Sequence, residues 1–592
     1  MLTHPTLATG DLSRDTGAGE LKAALRSCRS AFCGVALMSG LMNLLYLTGS
    51  FFMLEVYDRV IPSRSMPTLV GLGLLALVLY TFQGCLDALR GRILTRVGGA
   101  LDETLADRVF DLTVRSQLRG PAPSDGLLPL RDLDQLRAFL SGAGPGALFD
   151  LPWMPFYVAI CFLFHPLLGV AALAGAGLLV LITIITDRLT RSLAQATTSF
   201  GLSRNALAQT GLRNAEVLTA LGMQARLARR WALANAGYRQ AQRRTADVSG
   251  GFGAFSKVMR MALQSGVLAL GAWLVINDLA TGGIIIASSI LVSRALAPAE
   301  LAIANWKGFV QARQSWARLG DLLDRLPPAH QPLALPPPQR WLNVEDVSVA
   351  PPGSSRIVVS NASFSLQAGQ GLGIIGSSAS GKSSLVRALV GVWPTLRGKV
   401  RLDGAALDQW SSEALGVHLG YLPQEAELFA GTVAENICRF EPAADSALVI
   451  AAAKSAGVHE MILRLPEGYE TPLGDGGAGL SAGQRQRVGL ARALYRDPFL
   501  VILDEPNANL DSEGENALTQ AILGVRRRGG ICLVVAHRPS ALAAVDMVLM
   551  MGDGRVHAFG PKDEVIKRVV RPTPVPPAEV RPAILTEIRE RA

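Results

Sequence analysis

Charge is scarce in this sequence, and aromatic residues are scarcer. Of 592 residues, 18% are Asp, Glu, Lys or Arg and 6% are Phe, Trp or Tyr, while 49% are hydrophobic. Soluble domains carry more charge than this, and a mean hydropathy of +0.30 points to a membrane portion. Cysteine offers no framework. The six residues Cys28, Cys33, Cys85, Cys161, Cys438 and Cys532 show no C-x-x-C spacing, and they read as small buried hydrophobes. The start lacks the apolar core of a secretory signal, because Met1 to about Ser30 is polar. The net charge of +9 suits either nucleic acid or the basic loops of a membrane protein. The arginines are spread along the chain without interleaved aromatics, so basic loops are the reading and no nucleic-acid partner is expected. The length exceeds what one core supports, so two or more domains are expected.

Long apolar runs are what the first half does have. Phe32–Leu54, Leu69–Leu86, Leu148–Phe164, Leu167–Thr186, Met261–Ile276 and Gly283–Leu296 read as six spans. Arg26 and Arg29 precede the first, and Arg188, Arg191, Arg226, Arg229, Arg230, Arg243 and Arg244 crowd the segment after the fourth. Basic residues mark the cytoplasmic side, which places the N-terminus there. Val56-Tyr-Asp-Arg-Val-Ile-Pro-Ser-Arg64 reads as a short outer loop, and Asn277-Asp278 as an outer turn. Two prolines in Asp150-Leu-Pro-Trp-Met-Pro155 predict a bent or late-starting third span. His165 reads as a loop residue in a tight turn with Pro166.

The second half is organised around Gly376-Ser-Ser-Ala-Ser-Gly-Lys-Ser-Ser384. An apolar run, Gly371–Ile375, precedes it, and Leu385–Val390 reads as a helix after it. Strand, glycine-rich loop and helix together make a phosphate-binding loop. Gly376, Ser377, Ser378, Ala379, Ser380, Gly381, Lys382, Ser383 and Ser384 are therefore the candidate ATP contacts. Glycine lets successive backbone N–H groups converge on an anion, and the following helix adds its positive end. Lys382 reaches the β/γ-phosphates, and the Ser383 hydroxyl can ligate Mg²⁺. Phe499–Glu505 is an apolar strand ending in two acids. Asp504 can hold Mg²⁺ there, and Glu505 can activate the attacking water.

Leu480-Ser-Ala-Gly-Gln-Arg-Gln-Arg487 resembles the signature of ATP-binding-cassette transporters, with Ala482 where a second glycine is usual. The resemblance covers Trp341–Val570. It implies that Gln424, in Tyr421-Leu-Pro-Gln424, is the glutamine-loop residue and a further Mg²⁺ contact. It implies that His537 is the switch histidine beside Glu505 in catalysis, and that Asn509-Leu510-Asp511 is the D-loop. It implies a homodimer in which Ser481, Ala482, Gly483 and Gln484 of one copy close over ATP and Mg²⁺ on the other. The expected fold is an α-helical six-span membrane domain plus an α/β phosphate-loop NTPase domain. The expected bounds are a cytoplasmic segment 1–30, the membrane domain 31–325, a Pro-rich linker 326–340, the ATPase domain 341–570 and a Pro-rich tail 571–592.

Val56–Ser63 and Leu148-Phe-Asp-Leu-Pro-Trp153 are similar to the exporter ATPases of bacterial type I protein secretion. Val347-Ser-Val-Ala-Pro-Pro-Gly353, and an N-terminal segment too short for a peptidase-like domain, fit the protease/lipase-exporter branch. That resemblance implies a multi-pass inner-membrane ATPase working with a periplasmic adaptor and an outer-membrane channel. Its substrate would be an unfolded protein bearing a C-terminal signal. A stand-alone exporter of lipids or drugs is the alternative. An ATP-gated channel is a further reading, disfavoured by an intact Glu505. Family members usually carry a tyrosine upstream of the phosphate loop that stacks on adenine. Here Ser348–Gly353 has no aromatic, and Trp341 is the nearest one further upstream.

Overall fold

Among the described residues, six helices are long and apolar enough to cross a membrane: Arg29–Ser63, Met66–Arg119, Ala143–Phe164, Pro166–Arg213, Gln224–Ile276 and Gly282–Ala304. They belong to a computed structural model that describes residues 17–120, 126–326, 335–536 and 539–570. The chain divides into two compact units, one of residues 1–117 and 122–327, the other of residues 118–121 and 328–592.

In the first unit three helices run far past their apolar windows, with 54, 48 and 53 residues. At 1.5 Å per residue each extends roughly 70–80 Å, more than twice a hydrocarbon core. The expected outer loop at Val56–Arg64 is instead helical. A π turn over Val56–Val60 absorbs an extra residue, and Pro62 sits in the first turn of Ile61–Ser63, where its missing N–H is tolerated. The reversal shrinks to Arg64, in the left-handed region at φ 50°. The third span bends as its prolines require. Helix Ala143–Asp150 passes through a tight 3₁₀ turn, Leu151–Trp153, into Met154–Phe164. His165 caps the next helix, its Nδ1 accepting from the Leu167 N–H at 3.2 Å.

Small residues let these helices approach. A Cβ at Gly169 would lie 2.2 Å from Phe162, and one at Gly40 would lie 2.8 Å from Trp153. Tyr157, Cys161, Leu168, Leu179, Leu274 and Leu291 fill the resulting core. A second core lies beyond the apolar windows. There Leu21 and Ala24 of helix Gly17–Ser27 join Leu101, Val109, Leu136, Leu319 and Leu323. Sequence reading missed that helix in a stretch it took as merely polar. Cysteine also departs from expectation. Cys28, Cys161, Cys438 and Cys532 are buried, but Cys33 and Cys85 are exposed on helix faces.

Among the described residues, the second unit holds twelve strands: β1 (Trp341–Val349), β2 (Val359–Gln367), β3 (Gly371–Gly376), β4 (Arg397–Leu402), β5 (Ala405–Ala406), β6 (Leu419–Leu422), β7 (Gly431–Thr432), β8 (Pro472–Leu473), β9 (Leu500–Asp504), β10 (Ile531–Val535), β11 (Met547–Gly552) and β12 (Arg555–Pro561). The central sheet runs β12-β11-β3-β10-β9-β6. Its strands β11, β3, β10, β9 and β6 are parallel, and only β12 is antiparallel. β9 and β10 are buried at every residue, as strands covered on both faces must be. An antiparallel sheet, β2-β1-β4-β5, shares a core with β3 and helix Lys382–Leu389. The parallel register brings the C-terminal ends of β3, β10 and β9 to one edge, where sheets of this kind bind ligands.

Candidate functional site

The loop after β3 is built from conformations that side chains resist. Gly376 has φ 154°, and a Cβ there would lie 2.2 Å from the Met551 carbonyl oxygen. Gly381 has φ 95°, and a Cβ would lie 2.8 Å from the Val358 oxygen. Ala379 also takes a positive φ, 63°. Lys382 Nζ donates back to the Gly376 and Ser377 oxygens at 3.0 and 2.8 Å, which closes the loop into a cradle. Burial lowers the Lys382 pKa, opposed by the charges of Glu505 and Asp504.

Two acids face this cradle from the end of β9. Asp504 is 2% exposed, and Ser383 Oγ donates to its Oδ1 at 3.4 Å. Burial pushes the Asp504 carboxyl above the usual carboxylate range. A buried carboxylate beside a hydroxyl is an oxygen donor pair suited to Mg²⁺, so the residues fit that ion. Glu505 follows in the left-handed region at φ 51°, a conformation that costs energy in a non-glycine residue. Its N–H donates to the Val535 oxygen at 3.2 Å. Its carboxylate accepts from Gln424 Nε2 at 3.2 Å.

A cavity of about 350 Å³ joins these parts. Ser378, Ala379, Ser380, Gly381, Lys382, Ser383 and Ser384 line one side, with Gln424, Glu505 and Val358 on the others. Ser377 lends its carbonyl to Lys382. Val358 and Ala379 are the apolar residues in that lining. Trp341 begins β1, half exposed, and is not part of the lining.

Ser481, Ala482, Gly483 and Gln484 do not reach this cavity. They open helix Ala482–Leu494 with a capping box: Ser481 Oγ accepts from the Gln484 N–H, and Gln484 Oε1 accepts from the Ser481 N–H. Gly483 admits the D-loop closely, since a Cβ would lie 2.7 Å from the Asn509 oxygen. His537 lies outside the described residues.

Sequence reasoning passed over Gln486. It is 3% exposed. Its Nε2 donates to the Pro506 oxygen at 2.7 Å and the Glu505 oxygen at 3.3 Å, and its Oε1 accepts from the Asn509 N–H at 3.1 Å. It therefore staples the signature helix to the backbone that carries Glu505. Its place inside the signature stretch was the only available signal.

Two family models match the chain. One described as ABC transporter matches residues 359–508, and one described as ABC transporter transmembrane region matches residues 128–296. The chain is 61% identical over 553 residues to the type I secretion system ATP-binding protein PrsD of Rhizobium meliloti, covering 93% of this chain and 95% of that one. The chain belongs to the ABC transporters, among the type I secretion ATPases. The transporter is also 30% identical to the cyclolysin secretion/processing ATP-binding protein CyaB of Bordetella pertussis, over 90% of this chain and 75% of that one. Its fold matches an ATP-bound bacterial Atm1-family ABC exporter with a TM-score of 0.80, covering 92% and 96% of the two chains. At 23% identity, that likeness speaks for the fold alone. The transporter is a multi-pass membrane protein that binds nucleotide and couples ATP hydrolysis to transport.

Proposed function

We propose that two copies of the transporter face head to tail and enclose ATP between the cradle of one and the signature helix of the other. One observation carries this reading. The cavity holds phosphate-loop residues, Gln424 and Glu505, but none of Ser481, Ala482, Gly483 or Gln484. Yet that capped helix turns its first residues outward, with Ser481 and Ala482 exposed, and a helix N-terminus attracts an anion. A second copy brings that end to the open side of the first copy's nucleotide.

The geometry supports the following roles. The cradle and Lys382 hold the β/γ-phosphates. Ser383 and Asp504, with Gln424, would hold Mg²⁺, which when bound offsets charge on the phosphates. Glu505 takes the proton of the attacking water, and Gln424 orients Glu505 through the 3.2 Å bond. The family resemblance adds His537 at the γ-phosphate. The arginine distribution puts the N-terminus and the ATPase domain, 341–570, in the cytoplasm. The membrane domain is 31–325, joined through the linker 326–340. The kinship with PrsD supports export of an unfolded polypeptide with a C-terminal signal across the inner membrane. A periplasmic adaptor and an outer-membrane channel complete that route.

Glu505→Gln tests the composite site. The amide keeps the shape and removes the base, so turnover should fall about 10²–10⁴-fold while ATP binding persists and closed dimers accumulate. Lys382→Ala should lower nucleotide affinity without trapping dimers. Wild-type turnover in Glu505→Gln would remove Glu505 from the mechanism.

A further inference from the structure

Helix Gly282–Ala304 carries an arginine deep in its apolar length. The helix is pinned at its start, where Thr281 Oγ1 and the Gly283 N–H both donate to Asp58, at 2.7 and 2.8 Å. Arg294 lies twelve positions along from Gly282, and Tyr46 lies twelve positions back from Asp58. Each distance is about 18 Å at a helical rise. The two helices meet again at that depth, with the Arg294 guanidinium 4.5 Å from the centre of the Tyr46 ring. Both residues lie within helices apolar enough to cross a membrane, Arg29–Ser63 and Gly282–Ala304.

Arg294 is exposed, while its neighbours Ala295 and Leu296 are 0% exposed. Among the described residues no carboxylate pairs with it. Arg90 is different, since Asp150 and Asp87 neutralise it at 3.0 and 2.9 Å. Arginine turned toward hydrocarbon is costly, and such residues face a bundle interior or a water-filled path. Tyr46 takes one face of the guanidinium. The planar edge keeps its N–H donors, a geometry that receives carboxylates in pairs of hydrogen bonds.

We propose that Arg294, held on Tyr46, is a carboxylate-binding site in the wall of the translocation path that takes acidic side chains of the polypeptide in transit. This rests on the polypeptide-export reading. An anionic lipid headgroup offers similar chemistry, and the lipid composition of the nanodiscs below separates the two sources.

The test uses the full chain in nanodiscs of zwitterionic lipid, with two fluorescent unfolded peptides of equal length, a Gly-Asp repeat and a Gly-Asn repeat, each ending in the C-terminal tail of the co-encoded secreted protein. The wild type should prefer the Asp peptide. Arg294→Gln should weaken that peptide roughly fivefold, the scale of one partly screened ion pair, and leave the Asn peptide unchanged. Arg294→Lys should recover part of the loss. Arg294→Cys, in a background without the native cysteines, should react with a hydrophilic thiol reagent. Equal weakening of both peptides, an inert thiol, or a charge preference seen only in anionic nanodiscs would overturn the site. A wild type that binds neither peptide would instead overturn the export reading, and the inference with it.

Discussion

In the ATPase unit the chemistry comes from short stretches of chain. Ser378, Lys382 and Ser383 share one loop and the first turn of the helix after it, and Asp504 and Glu505 share one strand end. In the membrane unit the polar groups meet over long distances in sequence. Arg90 reaches Asp150 across 60 positions, and Asn43 reaches it across 107. Tyr157 then donates to the Asn43 carbonyl at 2.8 Å. The first arrangement is local because a phosphate must be wrapped by consecutive N–H groups. The second is dispersed because helices in an apolar medium meet side by side, so each contributes one group per contact. A motif can announce the first kind of site but not the second.

The strongest way to break this comparison is to remove the membrane cluster. The Asp150 and Arg90 side chains are 9% and 14% exposed. Breaking a buried pair leaves an uncompensated charge and typically costs about 3–5 kcal/mol. Asp150→Ala should lower the thermal midpoint of the detergent-solubilised protein by that scale. Arg90→Met combined with Asp150→Leu should recover much of it, because two apolar groups leave no orphan charge. A single variant as stable as wild type would make the cluster incidental.

A smaller effect is expected where the ATPase unit itself relies on a distant contact. Gln486→Met leaves the Pro506 carbonyl without this donor and the Asn509 N–H without this acceptor, at a cost of about 1–3 kcal/mol. Turnover should fall with stability, since Glu505 depends on that backbone for its left-handed geometry. Hydrolysis and unfolding measured on the same preparation would check it, and unchanged turnover would reduce Gln486 to packing.

The smallest effect concerns the base. Aromatic stacking on a base is worth about 1–3 kcal/mol, and the cavity offers only Val358 and Ala379 as apolar lining. The phosphates keep the cradle, Lys382 and Ser383. GTP should therefore compete with ATP within about tenfold, or about 1.4 kcal/mol. Pro351→Tyr should tighten ATP more than free triphosphate. A hundredfold preference for ATP in competition binding would mean that another residue reads the base.

Legibility followed the same division. Gly376–Ser384, Asp504 and Glu505 could be read because residue type and spacing follow from phosphate chemistry. The six apolar runs could be read because hydropathy follows from the bilayer. The helical course of Val56–Ser63 could not, since Asp58, Pro62 and Ser63 look like turn residues until their partners are known. Asp58 instead accepts from Thr281 and Gly283, more than two hundred positions away. Helix Gly17–Ser27 was hidden for a related reason. Its short apolar stripe, Leu21 and Ala24, gains meaning only against helix Trp306–Arg325.

Export itself is the most direct measurement. The account predicts that a co-encoded secreted protein loses export when its last several dozen residues are removed. Fusing that tail to an unrelated passenger should restore export when transporter, adaptor and outer-membrane channel are all present, and Glu505→Gln should abolish it. Export that proceeds equally well without the tail would contradict the account and favour a stand-alone exporter of lipids or drugs.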